Sequence, residues 1–195
     1  MRRLPETPAR LSHRISMSTT EARSSTETAK DSLKTVPIDA GTRIGHVHLK
    51  VANIDRALAF YCGVLGFGLK LRFGDSAAFI AAGDYHHHIG LNTWESAGGS
   101  PPAPGTTGLY HLAILYPTRA TLGNALQRLV DAGISLEGAA DHGVSEALYL
   151  RDPDGNGVEL YRDRPTEEWP KQADGTFTMY TRALDLRSLL AEQNK

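Results

Sequence analysis

From residue 44 onward the chain alternates between two hydrophobic periods. In "IGHVHLKV" (44–51), Val47, Leu49 and Val51 share one parity and His46, His48 and Lys50 the other. A period of two predicts a half-buried strand. "NIDRALAFYCGVLGF" (53–67) switches to helical spacing, with Leu58, Tyr61, Cys62 and Leu65 as its apolar stripe. Asn53 is placed to cap that helix and Gly66 to stop it. Three short strands are predicted next, in "GLKLRF" (68–73), "AAFIAAG" (77–83) and "HHHIGLNTW" (86–94), separated by "GD" turns.

A stretch of Gly, Ser and Pro, "ESAGGSPPAPGTTG" (95–108), has the composition of a linker. After it the order repeats. "LYHLAILY" (109–116) predicts a strand. "TRATLGNALQRLVDAG" (118–133) predicts a helix capped by Thr118, with Leu122, Leu126, Leu129 and Val130 buried. Strands follow in "ISLEGA" (134–139), "EALYLRD" (146–152) and "GVELYRD" (157–163). The chain thus reads as two βαβββ units in tandem, about 44–95 and 108–163. One such unit cannot close a core alone. Two predict an α+β fold in which a curved, barrel-like mixed sheet carries its helices outside and a polar concave face inside. The expected domain spans 41–165. An extension over 166–195 ends in a short helix with Leu186, Leu189 and Leu190. Residues 1–40, rich in Ser, Thr and charge, are expected to be disordered, and Met17 is a candidate start.

Charge narrows the partners. Lys+Arg number 21 and Asp+Glu 22, for a net charge of −1, which argues against a nucleic-acid surface or a polybasic membrane patch. No apolar run approaches the roughly 18 residues that span a membrane. Cys62 is the one cysteine, so no intrachain disulfide forms. A lone thiol suits a reducing compartment, and a cytoplasmic location is expected.

Strand alternation then selects the candidate chemistry. If aliphatic residues mark the packed face, the opposite parity is His46 and His48 on the first strand, and His86, His88, Gly90 and Asn92 on the fourth. It is His111 on the fifth, Tyr149 on the seventh, and Glu159 and Tyr161 on the eighth. His87 should then share the packed parity of Ile89 and Leu91. Unpaired polar groups cost about 1–3 kcal/mol each when buried, so this convergence predicts a site. His46 and His111 occupy equivalent positions in the two units, and Glu159 lies on the last strand. Two imidazoles and a carboxylate on one face form a triad suited to non-haem Fe(II), with Mn(II) or Zn(II) also compatible.

The paired units, "FYCGVLGF" on the first helix and "DPDGNGVELY" at the end resemble the vicinal oxygen chelate superfamily over residues about 44 to 163. That group includes glyoxalase I, antibiotic-resistance proteins and extradiol dioxygenases. Within it, "DHGVSEALYLRDPDGNGVE" (141–159) resembles the extradiol ring-cleavage signature in His142, Leu148-Tyr149, Asp152-Pro153, Gly155 and Glu159. Ala140 departs from that signature. The chain is most similar to bacterial catechol 2,3-dioxygenase-type proteins.

The resemblance implies metal ligands His46, His111 and Glu159, and a catalytic set of His88, Tyr149 and His142. His88 would act as acid–base, and Tyr149 and His142 would donate to substrate or oxygen. His48, His86, Asn92 and Tyr161 would line the substrate pocket. The implied reactants are an aromatic diol and O₂, and a homodimer or higher oligomer is expected, because familiar extradiol enzymes carry four units where this chain has two. The competing expectation is another metal-dependent lyase or isomerase, or an antibiotic-resistance protein, of the same fold. Glyoxalase I itself fits less well, since its fourth ligand is matched by Gly90.

Overall fold

The computed structural model describes residues 36–193. The tail expected over residues 1–40 and the candidate start Met17 fall almost wholly on residues 1–35, outside the described residues. Arg43–Lys195 make one compact unit, and the described residues before it, 36–42, lie outside that unit. In that stretch Asp39 closes a turn, its carboxylate accepting from Gly41 N at 2.7 Å and its carbonyl from Thr42 N at 3.0 Å.

In the larger unit, the first half runs β1 (Val47–Lys50), α1 (Ile54–Leu58), β2 (Gly68–Phe73), β3 (Ala77–Ala81) and β4 (Ile89–Asn92). The second half runs β5 (Leu112–Leu115), α2 (Arg119–Asp131), β6 (Gly138–Asp141), β7 (Ser145–Arg151) and β8 (Gly157–Asp163). A two-residue β9 (Arg182–Ala183) and α3 (Leu186–Glu192) complete the order. The α+β class and the βαβββ repeat are observed. The strands form two mixed sheets, ordered β1-β4-β3-β2 and β5-β8-β7-β6-β9, and neither closes into a barrel. In each, the first strand of the unit pairs in parallel with the last, and the remaining pairs are antiparallel.

Helices α1 and α2 begin where side chains satisfy free backbone donors. Asn53 Oδ1 accepts from Arg56 N at 2.9 Å, and Thr118 with Thr121 forms a reciprocal capping box at α2. Beyond Leu58 the first helix widens to π geometry over Ala59–Val64, with Leu65 N bonded to Phe60 O. Nothing in the apolar spacing signals that change. Val130, expected in the buried stripe, is 55% exposed. The buried face of α2 is Leu122, Ala125, Leu126 and Leu129, and position 130 lies about 100° further round. The strand expected over 134–139 is displaced to Gly138–Asp141. Ile134 is instead drawn into the helix end, its N–H bonded to Leu129 O across Gly133.

One core unites both halves. Leu49, Val51, Ile54, Tyr61, Ile89 and Leu91 pack with Leu122, Leu126, Leu129, Leu148 and Leu160, and Leu189 of α3 is fully buried among them. Polar contacts tie the same halves. In the loop between β7 and β8, buried Asp152 accepts from Tyr61 Oη at 3.0 Å and from the N–H groups of Asp154 and Asn156. Burial, reinforced by the Asp152 carboxylate, holds the Tyr61 hydroxyl well above its ordinary pKa. Asp154 accepts from Ala52 N at 2.9 Å and pairs with Arg56. On the second sheet, buried Glu146 meets Arg119 at 3.0 Å, Arg162 at 2.9 Å and Arg164 at 3.4 Å, and Arg164 also reaches Asp141. That network anchors the turn between β6 and β7. Among the described residues no helix is long and apolar enough to cross a membrane.

Candidate functional site

The second sheet builds a polar constellation from three adjacent elements. The β5–β8 register pairs Leu112 with Val158 and Ala113 with Glu159, so His111 stands beside Gly157 at the head of the pair. Gly157 permits this. A Cβ there would run into the Tyr110 carbonyl and lie 3.0 Å from His111 Cα. Two residues on, Glu159 points to the same side, and His111 Nε2 meets Glu159 Oε2 at 2.9 Å. The other ring nitrogen, His111 Nδ1, is buried with no hydrogen-bond partner among the described residues.

Across the β7–β8 pair Tyr149 is the register partner of Glu159. Its hydroxyl donates to Glu159 Oε1 at 3.1 Å. His142, in the turn before β7, brings Nε2 to 2.8 Å from the same hydroxyl. Burial, then the neighbouring carboxylate, pushes the Tyr149 hydroxyl up to about 12. Tyr149 therefore stays protonated at neutral pH and keeps a proton to give. The Glu159 side chain is 13% exposed against 31% for His111, and its two oxygens face His111 Nε2 and the Tyr149 hydroxyl. Tyr161 lies on the same parity one rung along β8, half-buried, its hydroxyl raised mainly by burial. A cavity of about 230 Å³ beside the constellation is lined by Tyr110, His111, Tyr149, Arg151 and Gly157, among others.

The first sheet holds the remaining candidates. His46 packs its ring on His87 at 4.4 Å, and His87 meets Phe79 at 5.0 Å and His86 through their Nδ1 atoms at 2.7 Å. His48 lies against Trp94 at 5.2 Å and Phe79 at 5.9 Å. His48 and His87 are both lowered, mainly by partial desolvation and then by neighbouring imidazoles. His88 Nδ1 accepts from Ala82 N at 3.3 Å, and its ring faces Tyr85. Asn92 is buried, its Oδ1 accepting from Trp94 N at 3.3 Å.

The orientation of His87 is thus the reverse of the simple alternation. Strand β4 begins at Ile89, and His87 lies outside its ladder, whereas His88 N donates to Ile80 O at 2.9 Å and His88 O accepts from Val47 N at 3.0 Å. His87 turns toward His46 and Phe79. His88 lines a cavity of about 380 Å³ with His46, Val47, Ile89, Leu112 and Ala113, between the edge strands of the two sheets.

The donor set can be weighed from these contacts. A neutral imidazole and a carboxylate converging within hydrogen-bond reach fit two positions of a divalent metal. Among the described residues no group of three His, Cys, Asp or Glu is gathered for one ion, and His46 faces His87 rather than the pair. Sequence reasoning missed Gly157, whose signal was a glycine two residues ahead of Glu159. It also missed Tyr180 and Thr181, which contact His142 and lie in a stretch without periodic pattern.

Residues 43–160 match the model of the glyoxalase/bleomycin resistance protein/dioxygenase superfamily. The chain belongs to that superfamily. It is 44% identical over 155 residues to the catechol-2,3-dioxygenase of Bacillus subtilis, covering 80% of this chain and 53% of that protein. It is 33% identical over 121 residues to biphenyl-2,3-diol 1,2-dioxygenase 3 of Rhodococcus globerulus, covering 62% and 63%. The chain therefore spans roughly half to two thirds of the length of these relatives. A solved glyoxalase/dioxygenase from Nostoc punctiforme superposes with a TM-score of 0.56 at 20% identity, over 69% of this chain and all of that one, and shares the superfamily fold.

Gly157→Ala should separate β5 from β8 at His111 and cost about 1–3 kcal/mol, as overpacking does. Urea unfolding would measure it. A loss below 0.5 kcal/mol, within the scatter of neutral substitutions, would contradict the close approach.

Proposed function

We propose that this superfamily member is an extradiol ring-cleaving dioxygenase that acts on a catechol-type aromatic diol with O₂ and non-haem Fe(II). The observation that carries the reading is the constellation His111–Glu159–Tyr149–His142, with its donor pair and its protonated hydroxyl on one face of one sheet. The names of the Bacillus and Rhodococcus relatives support the same chemistry. His111 and Glu159 would hold the metal, with His46 as third ligand. The metal, when bound, would supply a centre at which diol and O₂ meet.

The chain's own residues do the rest. Tyr149, kept protonated by burial and by Glu159, donates to Glu159 in the free site and would turn that one proton to substrate or oxygen when Glu159 serves as a ligand. His142 orients that hydroxyl. His88 lines the same cavity as His46 and is assigned the proton transfer from the diol, a task suited to an imidazole. His48, His86, Asn92 and Tyr161 are assigned to the rim and walls of the substrate pocket.

Within one chain His46 stands apart from the pair. Its assignment therefore calls for a first-sheet face to close on a second-sheet face, which a second copy of the chain can supply. The uncovered apolar surface beside the first-sheet histidines, with Trp94 65% and Phe73 56% exposed, supports a homodimer. Sedimentation at micromolar concentration is expected to give a dimer, and a monomer would contradict it.

The activity is tested by loading the protein with Fe(II) under argon, then adding catechol and air. Oxygen uptake with a yellow ring-opened product is expected. His111→Ala and Glu159→Ala should abolish it, and Tyr149→Phe should lower kcat about 10²–10³-fold, the cost of losing one preorganised donor. Iron-loaded protein that consumes no O₂ with any of several catechols would overturn the reading.

A further inference from the structure

The C-terminal extension crosses the turn that carries His142 and is bound to it by backbone. Tyr180 N donates to the His142 carbonyl at 3.2 Å, and β9 pairs with β6 through Ala140–Ala183 and Asp141–Arg182. Gly143 allows the approach. It sits at φ +78°, and a Cβ there would lie 2.6 Å from the Tyr180 ring and 2.7 Å from Pro170. Arg182 lies 4.2 Å over the same ring. The extension is thus fixed against His142, and two of its oxygens face the imidazole. Tyr180 O lies 3.3 Å and Thr181 Oγ1 3.2 Å from His142 Nδ1.

A proton inventory gives these oxygens different consequences. The Glu159 carboxylate only accepts. Tyr149 has one hydroxyl proton and gives it to Glu159 Oε1. His142 Nε2, 2.8 Å from that hydroxyl, must then donate to it, so Nε2 carries the ring proton. Nδ1 is left bare and needs a donor. A backbone carbonyl cannot donate, and the Thr181 hydroxyl can. In the opposite tautomer Nδ1–H donates to Tyr180 O, Nε2 takes the Tyr149 proton, and Glu159 Oε1 loses it.

We propose that Thr181 is a positioning residue whose hydroxyl donates to His142 Nδ1, fixes the Nε2–H tautomer, and thereby aims the Tyr149 proton at Glu159. All the bonds of the relay then run one way, from Thr181 through His142 and Tyr149 to Glu159. The second ring nitrogen of a histidine decides what the first can do. Here that second partner comes from a segment outside the paired βαβββ units. The relay stands on hydrogen bonds alone, while its consequence for turnover rests on the dioxygenase reading.

Long-range ¹H–¹⁵N correlation on the full chain tests it, at about pH 8.5, above the ordinary imidazole range. The His142 signals are identified by their loss in His142→Gln. The expected wild-type spectrum has Nε2 protonated and Nδ1 bare. Thr181→Val should move the proton to Nδ1, and Thr181→Ser should restore the wild-type pattern. Thr181 is exposed, so the remaining histidine signals should keep their positions and report an intact fold. Thr181→Ala serves as a second hydroxyl-free variant and should match Val. A wild-type ring protonated at Nδ1, or an unchanged pattern in both hydroxyl-free variants, would overturn the proposal. In the Fe(II)-loaded protein the same two variants should lower kcat with little change in KM. A reversed tautomer with unchanged turnover would uphold the relay and count against the dioxygenase reading.

Discussion

The 2.9 Å contact between His111 and Glu159 exists because β5 and β8 pair in parallel with a glycine at the point of closest approach. Parallel pairing in this register sets the head of one strand beside the start of the other, two residues ahead of Glu159. A side chain at position 157 would force the strands apart. The rest of the constellation follows from that pairing. Glu159, once aimed at His111, has its other oxygen across the ladder from Tyr149, and Tyr149 in turn meets His142. A half-buried carboxylate is favoured by such donors, since a partly desolvated charge left unpaired is costly.

The loop that leads into β8 links the site to the whole fold. Asp152 and Asp154 leave the second half to bind Tyr61, Ala52 and Arg56 of the first, and they flank the turn from which Gly157 and Glu159 emerge. The motif "DPDGNGVE" therefore has two tasks. Its aspartates hold the halves together through buried hydrogen bonds, and its glycine and glutamate build the site. On the opposite side of the sheet, Glu146 and its arginines hold the β6–β7 turn, and so place His142. Two separate polar networks thus anchor the start of β8 and the turn that carries His142.

Much of this was legible in the sequence where a periodic pattern meets a regular element. The two βαβββ units, the caps at Asn53 and Thr118, and the shared face of Tyr149 and Glu159 follow from parity and spacing alone. Alternation misled where the ladder had not yet begun. His87 lies before Ile89, and its ring follows local contacts with Phe79 and His46 instead of the pleat. The distance between His46 and the His111–Glu159 pair was not legible either, because it depends on how two sheets meet and not on any one strand. The contact of Tyr180 and Thr181 with His142 joins residues 38 and 39 positions apart through a two-residue strand, too short to leave a periodic signal.

His111 and Glu159 are proposed as the metal-binding core of this superfamily member. Calorimetric titration of the full chain with Fe(II) under argon tests it most directly. Saturable binding of one ion per site is expected in the wild type. Its loss is expected in His111→Ala and in Glu159→Ala, with both variants folded by circular dichroism. Wild-type affinity retained in Glu159→Ala would contradict the account.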